Sequence, residues 1–295
     1  MPTNEWLFPR GSLAEGPWES VVGPGGRGWR HTGLRVAEID GDVELPASGV
    51  ERMVVPLAGS FLVSASAERW ALEGRRSVFD GPTDVLYAGP ATALRIEGAG
   101  RVAVAEAPAT TNLPPTLLRR EDVPVEIRGA GRSTRQVHNF GVPGALAAQK
   151  LIVCEVITPA ENWSSYPAHK HDRASATESE LEEIYYFESA VARDVETPPG
   201  AQPFGMFATY ASDDRAIDTS ARVGTGDIAL VPYGFHGPAV AAPGYDLYYL
   251  NVMAGPGAER AWRITDDPTQ GWVRGLWADQ HPDPRLPYTA KEPAR

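Results

Sequence analysis

The feature that most constrains this chain is the way its apolar residues are distributed, in short runs that alternate with polar ones and stop at glycine, proline or aspartate. Alternation with a period of two is the signature of a half-buried strand. Runs at 33–39, 51–63, 69–72, 83–87 and 92–96 read as strands, and between Gly33 and Gly98 no helical pattern exceeds two turns. A second series follows at 126–127, 135–140, 151–158, 183–187, 204–210, 221–223, 227–231 and 246–252. The 30 glycines and 27 prolines are scattered without a period, as turns between many short strands require. Such spacing predicts an all-β sandwich or barrel with few short helices.

The two series echo each other. ERMVVPLAG at 51–59 resembles the stretch 183–190, and TDVLYAGP at 83–90 resembles GDIALVP at 226–232. This predicts two tandem β-barrel domains, 1–125 and 126–295. Residues 107–125, with Pro114-Pro115 and Val123-Pro124, read as the connector, and the Pro-rich stretch 279–295 reads as a partly ordered arm.

A formal net charge of -11 and a pI near 5.1 exclude the basic footprint of a nucleic-acid surface, so a small-molecule partner is expected. No stretch has the length and apolarity of a membrane span, and the N-terminus lacks the pattern of a signal peptide. A cytoplasmic protein is expected. The single cysteine, Cys154 in LIVCEVI, is expected to pack as a small apolar side chain, and the Asn162-Trp163-Ser164 sequon to be coincidental. Gly23 to Gly28 fits G-x-G-x-x-G, yet a strand-like run and no helix follows it, so it reads as a turn.

The chemistry concentrates at 165–188, SYPAHKHDRASATESELEEIYYFE. His169 and His171, two apart on an extended segment, point to one side and form a chelating pair. The first half contains no His-x-His. His236 follows the run GDIALVPYGF, and one glutamate would complete three imidazoles and a carboxylate. That donor set suits a divalent ion, Zn or Mn first, with Fe, Ni and Co also accommodated. Alternation puts Glu183 on one face with Tyr185 and Phe187, and Glu182 on the other with Ile184 and Tyr186; the pattern alone does not choose between them. Lys170 alternates away from the histidines and reads as a solvated charge.

His-x-His, a glutamate followed by six residues and a small one, and then Gly-x5-Pro-x-Gly and a histidine resemble the two-part metal motif of the cupin superfamily. In that motif the glutamate is Glu183, ahead of Ala190. Eleven residues separate His171 from Glu183, more than cupins usually have, so 172–182 reads as an inserted acidic loop placed to act as a lid. NWSSYPAHKHD (162–172), LEEIYY (181–186), LVPYGFH (230–236), residues 243–255, GRSTRQVHN (131–139) and Asp266-Asp267-Pro268 further resemble the IolB family, 5-deoxy-glucuronate isomerases of inositol catabolism.

The resemblance implies a bicupin with jelly-roll barrels. Its second domain would bind one divalent metal through His169, His171, Glu183 and His236 and interconvert 5-deoxy-glucuronate and 5-dehydro-2-deoxygluconate. Tyr185 and Tyr233 are then candidate catalytic groups. Arg135 is a candidate partner for the substrate carboxylate, and Tyr249 and Asn251, on one face of a strand, are candidate substrate contacts. A homodimer is suggested by analogy, because bicupin edges and apolar faces need cover. Two other functions fit the same donor set, a cupin dioxygenase and a non-catalytic sugar-acid-binding bicupin.

Overall fold

The computed structural model describes residues 3–25, 28–212 and 215–290, in three antiparallel sheets. In the first half, Leu94–Pro108 lies between Gly33–Leu45 and Val50–Ala65. These strands are longer than the alternation predicts, because glycine acts here as a corner and not as a stop. At the crossing of two strands Gly59 has φ +93 and a Cβ there would meet the Ala99 carbonyl oxygen at 2.1 Å, so only glycine permits the approach. The sheet curls at this point and closes over Val54, Phe61, Val63, Ile96 and Val104. The expected connector is partly strand: Thr116–Leu118 pairs with Val85–Ala88, and Arg120–Asp122 is a 3-10 turn.

In the second half a seven-stranded sheet runs in the order Leu7–Phe8, Ile228–Val231, Glu182–Val191, Tyr245–Ala254, Ile152–Thr158, Arg135–Gly141, Val125–Arg128. The facing sheet contains Arg215–Val223, Gly205–Ser212, Phe235–Ala241, His169–Lys170 and Thr265–Asp266. Between them lie Tyr185, Phe187, Phe207, Val231, Leu247 and Met253. Cys154 is fully buried there, its thiol pushed up to about 12 by burial, so it packs as an inert apolar group.

The halves join face to face. Met53, Val55 and Leu57 of the first half share one apolar cluster with Ile184, Tyr186, Leu250 and Val252 of the second. Two carboxylates clamp this joint reciprocally. Glu51 accepts the backbone N–H groups of Gln149, Lys150 and Leu151 at 2.7, 2.5 and 2.7 Å. Glu182 accepts those of Arg30 and His31, the nearest at 2.8 and 2.7 Å. The sheet registers therefore match Glu51 with Glu182, one residue off the match the sequences suggest: Glu51 faces Ala107 as Glu182 faces Ala254. Leu7–Phe8 crosses to the second half, and the C-terminal stretch is ordered through Tyr288, 2% exposed, whose N–H donates to Gln136. Around the Gly23 to Gly28 turn no helix forms and the next element is a strand; Gly26, Arg27 and residues 291–295 lie outside the described residues.

The same joint holds a buried polar network. Arg75 donates to both oxygens of Glu155 at 2.6 and 2.7 Å, and Tyr248 and His138 lie 2.7 and 2.5 Å from that carboxylate. Burial would raise the Glu155 carboxyl, but Arg75 and His138 hold it at about 2. Arg75→Met leaves this charge buried without its cation and is expected to cost about 3–5 kcal/mol in denaturant unfolding. Arg95→Ala, removing a side chain 49% exposed, is expected to cost about 0–1 kcal/mol. Because the folded-state value is depressed, the contribution of Glu155 is fully present above its ordinary value of 4.5 and is lost as pH falls towards about 2, which a Tm series in acid will register.

Candidate functional site

Sheet register brings the histidines together. His169 lies directly across from His236, with ring centroids 4.5 Å apart, and the His171 ring is 4.7 Å from that of His236. Glu183 reaches them from the facing sheet. Its Oε2 is 3.0 Å from His171 Nε2 and 3.0 Å from His236 Nε2. One donor atom from each of His171, Glu183 and His236 lies within 4.8 Å of the others, and His169 stands beside this group. Glu182 points the opposite way into the joint between the halves, so alternation separates the two neighbouring carboxylates.

Each imidazole is oriented by the backbone. Nδ1 of His169, His171 and His236 lies 3.3, 3.2 and 3.4 Å from the carbonyls of Pro167, Leu181 and Gly234. An Nδ1–H donated to a carbonyl leaves the Nε2 lone pair free, the tautomer that metal ligation uses. His236 Nε2 is buried and, for all its closeness to Glu183, makes no aligned hydrogen bond. Burial and the neighbouring imidazoles hold His169 well below the usual histidine range, hence neutral. Burial would raise Glu183, but His171 and His236 hold it at about 2, hence ionised. Three imidazole nitrogens and one carboxylate fit a divalent ion.

Lys170 does turn away from the histidines, but it is buried and not solvated, because the surface behind its strand is covered. Its ammonium lies 2.8 Å from both Asp172 and Glu178. Asp172 also accepts from Ser212 Oγ at 2.8 Å and from the Gly234 N–H at 2.9 Å. It thus ties the residue next to His171 to the turn whose carbonyl orients His236. Glu178 is spent on Lys170 and on the N–H groups of Asp172 and Arg173, so the inserted loop is stapled down, and its residues are absent from the lining of the substrate-sized cavity.

That cavity, of about 470 Å³, is lined by His169, Glu183, Tyr185, Tyr249, Asn251 and Arg135 among others. Tyr185 and Tyr249 lie 3.2 and 3.0 Å from Ser165 Oγ, and burial pushes both phenols up, so each is a proton donor and neither is a ready base. Asn251 Nδ2 is buried without a hydrogen-bond partner among the described residues. Arg135 is 8% exposed and has no ion pair there either; burial lowers it to about 10. Tyr233 does not line the cavity: its hydroxyl donates to the Ala216 carbonyl and Arg215 covers its ring. Sequence reading missed Ser165, Arg128, Arg274, Trp262 and Trp277, which also line the cavity. The late aromatic residues in an acidic chain were the available signal.

In the first barrel, Arg52 occupies the register position of Glu183, facing Ala88 as Glu183 faces Val231. Its guanidinium is 2.8 Å from Glu106 and also donates to Ser48. An ion pair fills the equivalent place.

Two such barrels in tandem define a bicupin, with one donor cluster among the described residues. The oxalate decarboxylase of Lactobacillus farciminis has the same fold, with a TM-score of 0.58 at 12% identity over 89% of this chain and 88% of that one. The KduI/IolB family model matches residues 6–273, and the chain belongs to that family. The 5-deoxy-glucuronate isomerase of Geobacillus kaustophilus is 40% identical over 259 residues, 85% of this chain and 89% of that protein. That of Bacillus subtilis (strain 168) is 39% identical over 228 residues, 76% and 79% of the two chains. The solved structure of an IolB-like protein from Salmonella typhimurium matches with a TM-score of 0.81 at 34% identity, covering 91% of this chain and 99% of that one.

Asp172→Ala removes the tie between the two histidine segments without touching a donor atom. Binding of Zn or Mn, followed by titration of the purified protein, is expected to weaken about 10- to 100-fold.

Proposed function

We propose that this chain is a metal-dependent aldose–ketose isomerase that converts 5-deoxy-glucuronate to 5-dehydro-2-deoxygluconate in inositol catabolism. The observation that carries the reading is the opening of the donor cluster, through His169 and Glu183, into a cavity whose wall holds the buried Arg135, which has no ion pair among the described residues. The relatives' names supply the reaction.

His169, His171, Glu183 and His236 are the proposed ligands, for Zn or Mn in the first instance and for Fe, Ni or Co by the same chemistry. A divalent ion held there supplies stabilisation for the negative charge that develops when a proton leaves carbon. Arg135 binds the substrate carboxylate, fixing the acyclic sugar acid by its far end. Tyr185 and Tyr249, protonated and linked through Ser165, donate hydrogen bonds to substrate hydroxyls, and Asn251 lines the same wall. In the net reaction the C2 proton moves to C1 and the O2 hydroxyl proton to O1, so substrate and product are isomers. A cytoplasmic enzyme acting as a homodimer completes the reading. Among the described residues no helix is long and apolar enough to cross a membrane.

The test joins an isomerase assay to metal analysis. Wild type is expected to form the ketose with stoichiometric metal. Glu183→Gln is expected to lose most of both, and Glu182→Gln to keep the metal. Oxygen uptake without ketose would favour a dioxygenase and end the isomerase reading; Glu183→Gln with full metal content would overturn the ligand set.

A further inference from the structure

Three hydroxyls touch in a row along one wall of the cavity. Tyr185 and Tyr249 lie 3.2 and 3.0 Å from Ser165 Oγ, which makes no other hydrogen bond among the described residues. All three residues line the cavity, and Ser165, 7% exposed against 1% for each tyrosine, is the most open of them. Burial pushes both phenols up, so each oxygen in the row carries one proton. Three protons and two contacts leave one proton over. Ser164, which also adjoins Tyr249, is already engaged by Thr158 and by the Ala239 carbonyl. The spare proton is therefore placed to meet an oxygen in the cavity.

The row is set beside the donor cluster. The Tyr185 ring is 6.0 Å from that of His236 and 5.1 Å from that of Tyr249. Through their shared contact the two phenol oxygens are at most about 6.2 Å apart, a gap that two oxygens on neighbouring carbons bridge with one hydrogen bond to each phenol. Ser165 is held there under strain. Its φ of +45 lies in the left-handed region that side-chain-bearing residues rarely adopt. Gly237, next to His236, presses so close that a Cβ there would meet the Ser165 carbonyl oxygen at 1.9 Å. The strand that supplies His236 thus also fixes the middle of the row.

We propose that Ser165 joins Tyr185 and Tyr249 into a relay that carries the hydroxyl proton of the substrate between O2 and O1. This role rests on the isomerase reading. When the C2 proton leaves, the C–H electron pair becomes the C1–C2 double bond and O1 takes the negative charge. The O2–H bond then breaks as its proton passes to Tyr185; the Tyr185 proton passes to Ser165, that of Ser165 to Tyr249, and that of Tyr249 forms the O1–H bond. The charge is now on O2, where it becomes the ketone as C1 accepts a proton. Each relay oxygen ends with one proton, the row points the other way, and no oxidant or reductant is consumed.

Ser165→Gly removes the hydroxyl and accepts φ +45 without strain, so its Tm is expected to equal or exceed that of wild type. Ser165→Ala removes the same hydroxyl and keeps the Cβ. Steady-state kinetics on 5-deoxy-glucuronate, run on metal-replete protein in mixtures of H2O and D2O, read the relay. Both variants are expected to lower kcat about 100-fold, with KM within about threefold and metal content unchanged. The kcat of wild type is expected to fall along a curve as the deuterium fraction rises, because several protons move together, and that of the variants along a line.

A glycine variant within about threefold of the wild-type kcat, a curvature that survives loss of the hydroxyl, or loss of metal along with activity would overturn the relay. A wild type that forms no ketose would overturn the isomerase reading and the relay with it, whereas an active wild type matched by Ser165→Gly would overturn the relay alone.

Discussion

The strand Glu182–Val191 is buried on both faces, and the rest of the molecule depends on that constraint. Side chains on a strand alternate, so one face had to serve the interior of the barrel and the other the joint between the halves. Glu183, Tyr185 and Phe187 went to the first task; Glu182, Ile184 and Tyr186 went to the second. A shift of one residue would exchange every one of them. Site geometry and domain assembly are set by a single register.

Both faces also show how buried charge is tolerated. Glu182 and Glu51 are held by backbone N–H groups, which cannot titrate. Glu183 is held by imidazoles and Glu155 by Arg75, His138 and Tyr248. In each case the carboxylate is satisfied from a different segment of the chain, so it fixes the position of something distant. At the cavity wall, by contrast, the buried Arg135 has no ion pair among the described residues.

The all-β class and the histidine pair were legible because both are local: period two, turn residues, and ligands two apart. Other features were not, for physical reasons that can be named. The run at 92–96 reads as ending before Gly98, but in a curling sheet Gly98 and Gly100 are corners within one strand. Gly237-Pro238 hid the strand Phe235–Ala241, whose pairing places His236 across from His169. The choice between Glu182 and Glu183 was closed to pattern because both faces of their strand are apolar. Lys170 was aimed correctly by alternation, but whether the far side of its strand is water or protein is a tertiary fact. Tyr233 adjoins the histidine turn in sequence and lies outside the cavity in space. The indoles that finish the cavity come from Trp262 and from Gly271–Asp279, a 3-10 segment with no period to betray it.

The ion pair of Arg52 with Glu106 gives the two barrels unequal futures. Placing a glutamate at 52 in the first barrel would not create a donor cluster, because Glu106 would then face a second carboxylate, with Arg35 the ion-pair partner remaining to Glu106 among the described residues. Several coordinated changes would be needed to build a donor cluster there. The first barrel is thereby free to diverge as scaffold, held only by the face it shares with its neighbour, while the second barrel carries the donor cluster.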